Sequence, residues 1–295
     1  MLYRSPFTAN GPSVITPSKV GLNVPWLLDS AIHGIIARRT FQNSSGQAAY
    51  SALQQFGRFK RIAPTTGVNA QALQNQSRIA WRAFFSDGNN SNLLYTFPDH
   101  SFVPWFPSAY NATIIVEHFK RDTDFILSTN PGSAFGTVES FANRCSAHVP
   151  EGNWVDWDMG DLTQRVQFNW AANQTLYPTM RWHTFGFLSR GFHRSIWIDG
   201  TKVAELTATY SNSVGNCTNW AWAGHTSYGA PYNSGGNNDY GFCGFWNYAF
   251  TDAQMAIATR DIQQLRNGGT DVSVMVPSRR LVPKFDLSVS GWAAV

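Results

Sequence analysis

From residue 78 onward the chain is a succession of short runs dominated by β-branched and aromatic residues, each bounded by Gly, Pro, Asn or Asp. They are RIAWRAFF (78–85), ATIIVEHFK (112–120), DFILST (124–129), RVQFNW (165–170), RWHTFGFLS (181–189), RSIWIDG (194–200), KVAELTAT (202–209), NWAWAG (219–224) and YGFCGFWNYAF (240–250). Runs of this length and composition read as β-strands. In WHTFGFL, Trp182, Thr184, Gly186 and Leu188 alternate with His183, Phe185 and Phe187. Both faces are partly apolar, as in a strand inside a sandwich. Many short strands at even spacing predict a β-sandwich or jelly roll.

One helix interrupts this pattern. Thr251 and Gln254 have the spacing of a capping box, and Met255, Ala258, Ile262 and Leu265 follow at helical intervals before Gly268 and Gly269. Residues 1–20 read as an extended N-terminal arm, because Pro6, Gly11, Pro12 and Pro17 break any regular element. Tyr3 and Phe7 are the arm's candidate contact residues. Residues 21–295 read as one domain, with HGIIARRTF as a first strand. Within it, 43–78 is rich in Gln, Ser, Asn and Gly and reads as an insertion. Its AAYSALQQFGRF run fits a short helix or a strand. Asp199-Gly200, between two strand-like runs, is a strong hairpin signal, since both residue types tolerate positive φ.

The order of elements is more specific than any single one. A WHTFGFL strand precedes RSIWIDGTKVAEL, then AWAG and a Gly/Asn-rich loop, then YGFCGFWNYAFTDAQM. This succession resembles the concanavalin A-like, laminin-G-like jelly roll, in which a hairpin carries an aromatic-x-Asp-Gly turn. A later glycine-bearing strand there runs into a capped short helix, here at Gly244, Thr251, Asp252 and Gln254. SAHVPEGNWVDWDMGDLTQRV (146–166) and RSPFTANGPSV…GLNVPWLL (4–28) resemble segments of laminin-G-like proteins of tailed bacteriophages and prophages. In the second segment a Gly-Leu strand follows the opening. The resemblance implies an all-β, concanavalin A-like (laminin-G-like) jelly-roll β-sandwich with one short helix near the C-terminus. It implies a non-enzymatic structural protein of a phage particle, a capsid decoration or a tail or fibre component. Such a protein would sit in the virion as a homo-oligomer, with other virion structural proteins as partners and a host-surface glycan as a further contact. The alternative is a carbohydrate-binding or receptor-binding lectin module, and the third reading is a glycan-cleaving jelly-roll enzyme.

Composition sharpens this picture. Only 14% of residues are charged, against roughly 25% in an average globular chain. Asn, Gln, Ser and Thr must carry the surface, which suits extracellular or particle-borne β proteins. A net charge of +4 without a basic stripe gives no nucleic-acid footprint. No apolar run is long enough to span a membrane, and the opening residues do not read as a secretory signal. Cys145, Cys217 and Cys243 lack metal-ligand spacing and read as reduced, buried thiols.

Catalytic chemistry finds little support. Glu117, Glu139, Glu151 and Glu205 form no closely spaced pair of the kind retaining glycosidases use. The seven histidines form no zinc-ligand pair, and no G-x-S-x-G elbow or P-loop occurs. The expectation is no catalytic residue, no metal and no cofactor. Asp156, Asp158 and Asp161 read as a turn-forming cluster before Gly160, with calcium binding as the alternative. The 223–241 loop holds Tyr228, Tyr232 and Tyr240 among Gly, Asn and Ser. Such a loop either recognises a partner or packs its tyrosines on the sandwich edge.

Overall fold

The period-2 patterning is realised as two antiparallel sheets packed face to face. In a computed structural model of the chain, the described residues are 24–37, 54–59, 69–75, 78–84, 93–96, 111–120, 133–140, 143–151, 153–160, 165–208, 219–223, 225–227, 230–232 and 238–268. The strands are β1 (His33–Ile36), β2 (Gln54–Phe56), β3 (Asn69–Asn75), β4 (Arg78–Phe84), β5 (Leu93–Thr96), β6 (Ala112–Lys120), β7 (Ser133–Ser140), β8 (Asn143–Glu151) and β9 (Trp154–Gly160). They continue with β10 (Val166–Asn169), β11 (Trp182–Arg190), β12 (His193–Ile198), β13 (Thr201–Thr207), β14 (Asn219–Trp222), β15 (His225–Ser227), β16 (Ala230–Tyr232) and β17 (Asn238–Trp246). Three α-helices, α1 (Val24–Ser30), α2 (Asp252–Arg260) and α3 (Ile262–Gly268), and one 3-10 turn (Ala171–Asn173) complete the described elements.

The larger sheet has nine strands, in the order β13-β12-β11-β6-β17-β1-β2, with β4 beside β17 and β3 beside β4. The smaller has six, in the order β10-β9-β8-β7-β14-β5, and β15 and β16 form a separate hairpin. Between the sheets lie Ile114, Val116, Phe185 and Phe187 from the larger and Phe135, Val155, Trp157 and Trp222 from the smaller. Two indoles tie the layers with hydrogen bonds. Trp157 Nε1 donates to the Leu188 carbonyl at 3.1 Å, and Trp222 Nε1 donates to His33 Nδ1 at 2.9 Å. This is the jelly-roll β-sandwich that the sequence predicts.

The nine-stranded sheet is buried on its other face as well. Ile115, Leu188, Trp197 and Phe242 meet Leu27 of α1, Met255 of α2 and Leu265 of α3 in a second cluster. The capping box forms as predicted: Gln254 N–H donates to Thr251 Oγ1, and Thr251 N–H donates to Gln254 Oε1. Helix α2 seats at Gly186, where a Cβ would come within 2.6 Å of Thr259 Cγ2 and 2.7 Å of Met255 Cε. The predicted helical run breaks once, at Asp261, and resumes as α3.

The hairpin at Asp199-Gly200 has φ values of 48° and 91°, the pair of positive angles a type I′ turn needs. The turn also docks on the helix. Gly200 N–H donates to Thr259 Oγ1 at 3.0 Å, so the β12–β13 hairpin clasps α2 to the sheet.

Other expectations are corrected. The segment read as a Gly-Leu strand is helical over Val24–Ser30. Pro25 is tolerated there because its missing N–H falls in the first turn. Of AAYSALQQFGRF, the described part holds the short edge strand β2. The arm 1–20 and the DFILST run lie outside the described residues.

Candidate functional site

With helices on one sheet, attention falls on the outer face of the other. In β9, Val155, Trp157 and Met159 enter the core. Alternation places Trp154, Asp156 and Asp158 on the opposite face. The register sets Ser146 and His148 of β8 opposite Asp158 and Asp156. It sets Gln167 and Asn169 of the edge strand β10 opposite Asp156 and Trp154. Polar side chains and one tryptophan thus share a rigid, two-rung patch at the sheet edge. Trp154 is 39% exposed, one of five large apolar side chains left open to solvent among the described residues.

Arg165, just before β10, organises the acidic part of this face. Its Nε and Nη2 donate to the two oxygens of Asp158 at 2.6 and 2.8 Å, and its Nη1 donates to Asp156 Oδ2 at 3.0 Å. Gln167 Nε2 donates to Asp156 Oδ1 at 3.0 Å. Burial works against the Asp158 carboxylate, but hydrogen bonds from His148 and Arg165 outweigh it and hold the group well below the usual carboxylate range. Burial pushes the Asp156 carboxyl up, with the charges of Arg165 and His148 opposing.

The arrangement orients rather than activates. Ser146 Oγ lies 2.6 Å from His148 Nε2, and Asp158 Oδ2 lies 3.4 Å from the same nitrogen. A nucleophile–base–orienter relay needs the two on opposite ring nitrogens. Asp156 and Asp158 share one guanidinium, which occupies the oxygens a cation would need. The turn-cluster reading of these two aspartates is corrected: both sit within strand β9. Among the described residues no group of three or more His, Cys, Asp and Glu side chains is placed to hold a metal ion.

The predicted contact tyrosines fare differently. Tyr240 is fully buried and stacks on Trp81 with ring centroids 4.8 Å apart. It is a core residue, because β17 is a central strand flanked by β6 and β4. Tyr232 ends β16 opposite His225. Tyr228, Tyr3 and Phe7 lie outside the described residues. The patch residues Trp154, Arg165 and Gln167 were not anticipated. The signal for Trp154 was the alternation in WVDWDMG, obscured by its Asp and Gly content.

The buried histidines His118 and His183 are structural. His183 Nδ1 contacts Asp199 Oδ2 at 2.6 Å and its Nε2 contacts the Pro178 carbonyl at 2.9 Å, fixing the hairpin end. His118 packs edge-on against Phe185, and burial, with Lys120 nearby, lowers it to about 3. Cys145 and Cys243 are buried.

No protein-family model and no curated protein sequence matches the chain. Solved structures do match. The binding domain of botulinum neurotoxin DC in complex with SialylT is 11% identical, with a TM-score of 0.53 over 80% of this chain and 52% of that one. The botulinum neurotoxin type G receptor-binding domain is 11% identical, with a TM-score of 0.51 over 80% and 52%. The DC binding domain in complex with rat synaptotagmin II is 10% identical, with a TM-score of 0.54 over 80% and 52%. The chain therefore spans about half the length of these structures. The likeness is one of fold: a jelly-roll β-sandwich.

Proposed function

We propose that this domain is a non-enzymatic recognition module that binds a glycan or receptor on a surface. The observation that carries the reading is the asymmetry of the sandwich. Helices and a second core cluster cover the outer face of the nine-stranded sheet. The outer face of the six-stranded sheet instead carries buried polar side chains fixed in strand register, with Trp154 and Gln167 exposed at its β9–β10 edge. An aromatic anchor beside a few oriented polar groups is the usual make-up of a binding site. Similar structures support the same direction, since their descriptions are of receptor-binding domains, one in complex with SialylT and one with rat synaptotagmin II. A role as structural protein of a phage particle, with the virion as location, rests on the sequence resemblance alone.

Incubating the full chain with immobilised oligosaccharides and soluble polysaccharides tests the reading. The expected result is saturable binding without release of reducing ends. Turnover by the pure protein would make it an enzyme, and finding it as a stoichiometric component of a purified particle would restore the scaffold role.

A further inference from the structure

Resting on that recognition reading, we propose that the β9–β10 face takes a neutral oligosaccharide and discriminates against its sialylated or sulfated forms. One sugar ring lies on Trp154, with hydroxyls meeting Gln167 and Asn169, the polar side chains beside it that reach solvent.

The geometry supplies the ring site. Trp154 and Asn169 are directly opposed, and Asp156 and Gln167 form the next same-face rung. Same-face neighbours stand about 7 Å apart along a strand and about 5 Å apart across the pair, the scale of one sugar ring and its substituents. A tryptophan offers a broad apolar surface to the C–H face of such a ring. Polar groups around it are already oriented. Gln167 is tied to Asp156 at 3.0 Å, and Asn169 Oδ1 accepts from Ala172 N–H at 3.0 Å. Asn169 therefore has its amide N–H groups to offer. β10 is an edge strand, so a chain of sugars has an open flank along which to continue.

Charge supplies the discrimination. A guanidinium on this face among the described side chains is that of Arg165, and its Nε, Nη1 and Nη2 are all directed at Asp156 and Asp158. A ligand carboxylate or sulfate needs a guanidinium fork of its own. Here it would meet a fork already engaged by two carboxylates and would be repelled by them. Neutral hydroxyls, by contrast, need no cation and can accept from the Asn169 amide.

An array of matched oligosaccharides, each present in neutral, sialylated and sulfated form, tests this with the full chain. The wild type should bind neutral members, and acidic capping should weaken binding about tenfold or more. W154A should lose about tenfold or more in affinity with an unchanged melting midpoint, and Q167A should weaken binding to a lesser degree. Preference for the acidic forms, or W154A binding like wild type, would overturn the assignment while leaving a glycan-binding module in place. No glycan bound by the wild-type chain at any accessible concentration would overturn both.

Discussion

Gly200 shows how one residue can serve two constraints. Its φ of 91° is open to few side chains, and a Cβ there would lie 2.8 Å from Arg260 Cβ of the docked helix. Gly200→Val should therefore destabilise the domain by about 1–3 kcal/mol, read as a lower denaturation midpoint with the fold retained. An unchanged midpoint would mean that the turn relaxes freely and does not clasp α2. The buried histidines make a second residue-scale prediction. Burial lowers His33 to about 4 and His118 to about 3, from 6.5 in the unfolded chain. Between these values the unfolded state binds more protons than the native one, so stability is full above about pH 6.5 and falls with pH below it. Each histidine contributes a slope of about 1.4 kcal/mol per pH unit where its two states differ by a full proton. Melting midpoints measured from pH 7 to 4 should fall steadily, and less steeply in His118→Gln. Equal slopes would place the acid sensitivity elsewhere.

At the scale of elements, the helices are fastened by contacts of unequal worth. Arg266 of α3 donates from Nη1 to Glu117 Oε2 of β6 at 2.6 Å, and Glu117 is completely buried. Gly241 leaves the space for this pair, since a Cβ there would strike the Glu117 carboxylate. Arg266→Ala would take the guanidinium away from a buried carboxylate and should cost about 3–5 kcal/mol. Asp252 of α2 pairs with Arg190 at 2.9 Å and Lys202 at 3.1 Å, but Asp252 and Arg190 are each more than 40% exposed. Asp252→Ala should cost less than about 1 kcal/mol. Chemical denaturation of the two variants side by side checks the ordering, and comparable losses would contradict it.

For the whole molecule, the asymmetry of the sandwich decides which surface is available. The nine-stranded sheet is sealed by helices, and the six-stranded sheet holds a mostly buried Arg165-centred polar cluster with Trp154 exposed beside it. Because the guanidinium already occupies oxygens of both carboxylates, chelation with EDTA should leave the melting midpoint and glycan binding unchanged. A fall in either would revive the calcium reading of Asp156 and Asp158. The arm is expected to contribute contacts rather than stability. Deleting residues 1–20 should leave the midpoint nearly unchanged, and loss of folding would make the arm part of the core.

The sequence by itself determined the strand-rich architecture, the Asp199-Gly200 turn and the capped helix at Thr251. Each depends on short-range physics: period-2 alternation, positive φ, and side-chain capping of free N–H groups. It could not determine what each strand faces. Tyr240 sits in a loop-like context of Gly and Asn, yet the pairing of β17 with β6 and β4 buries it. Asp156 and Asp158 have turn-like neighbours, yet β8 and β10 hold them in a ladder and Arg165 closes over them. Exposed Trp154 looked like any other aromatic in a chain that has 12 tryptophans. Tertiary structure decided these cases, because burial depends on which sheet face a neighbouring layer covers, and that layer comes from residues far along the chain.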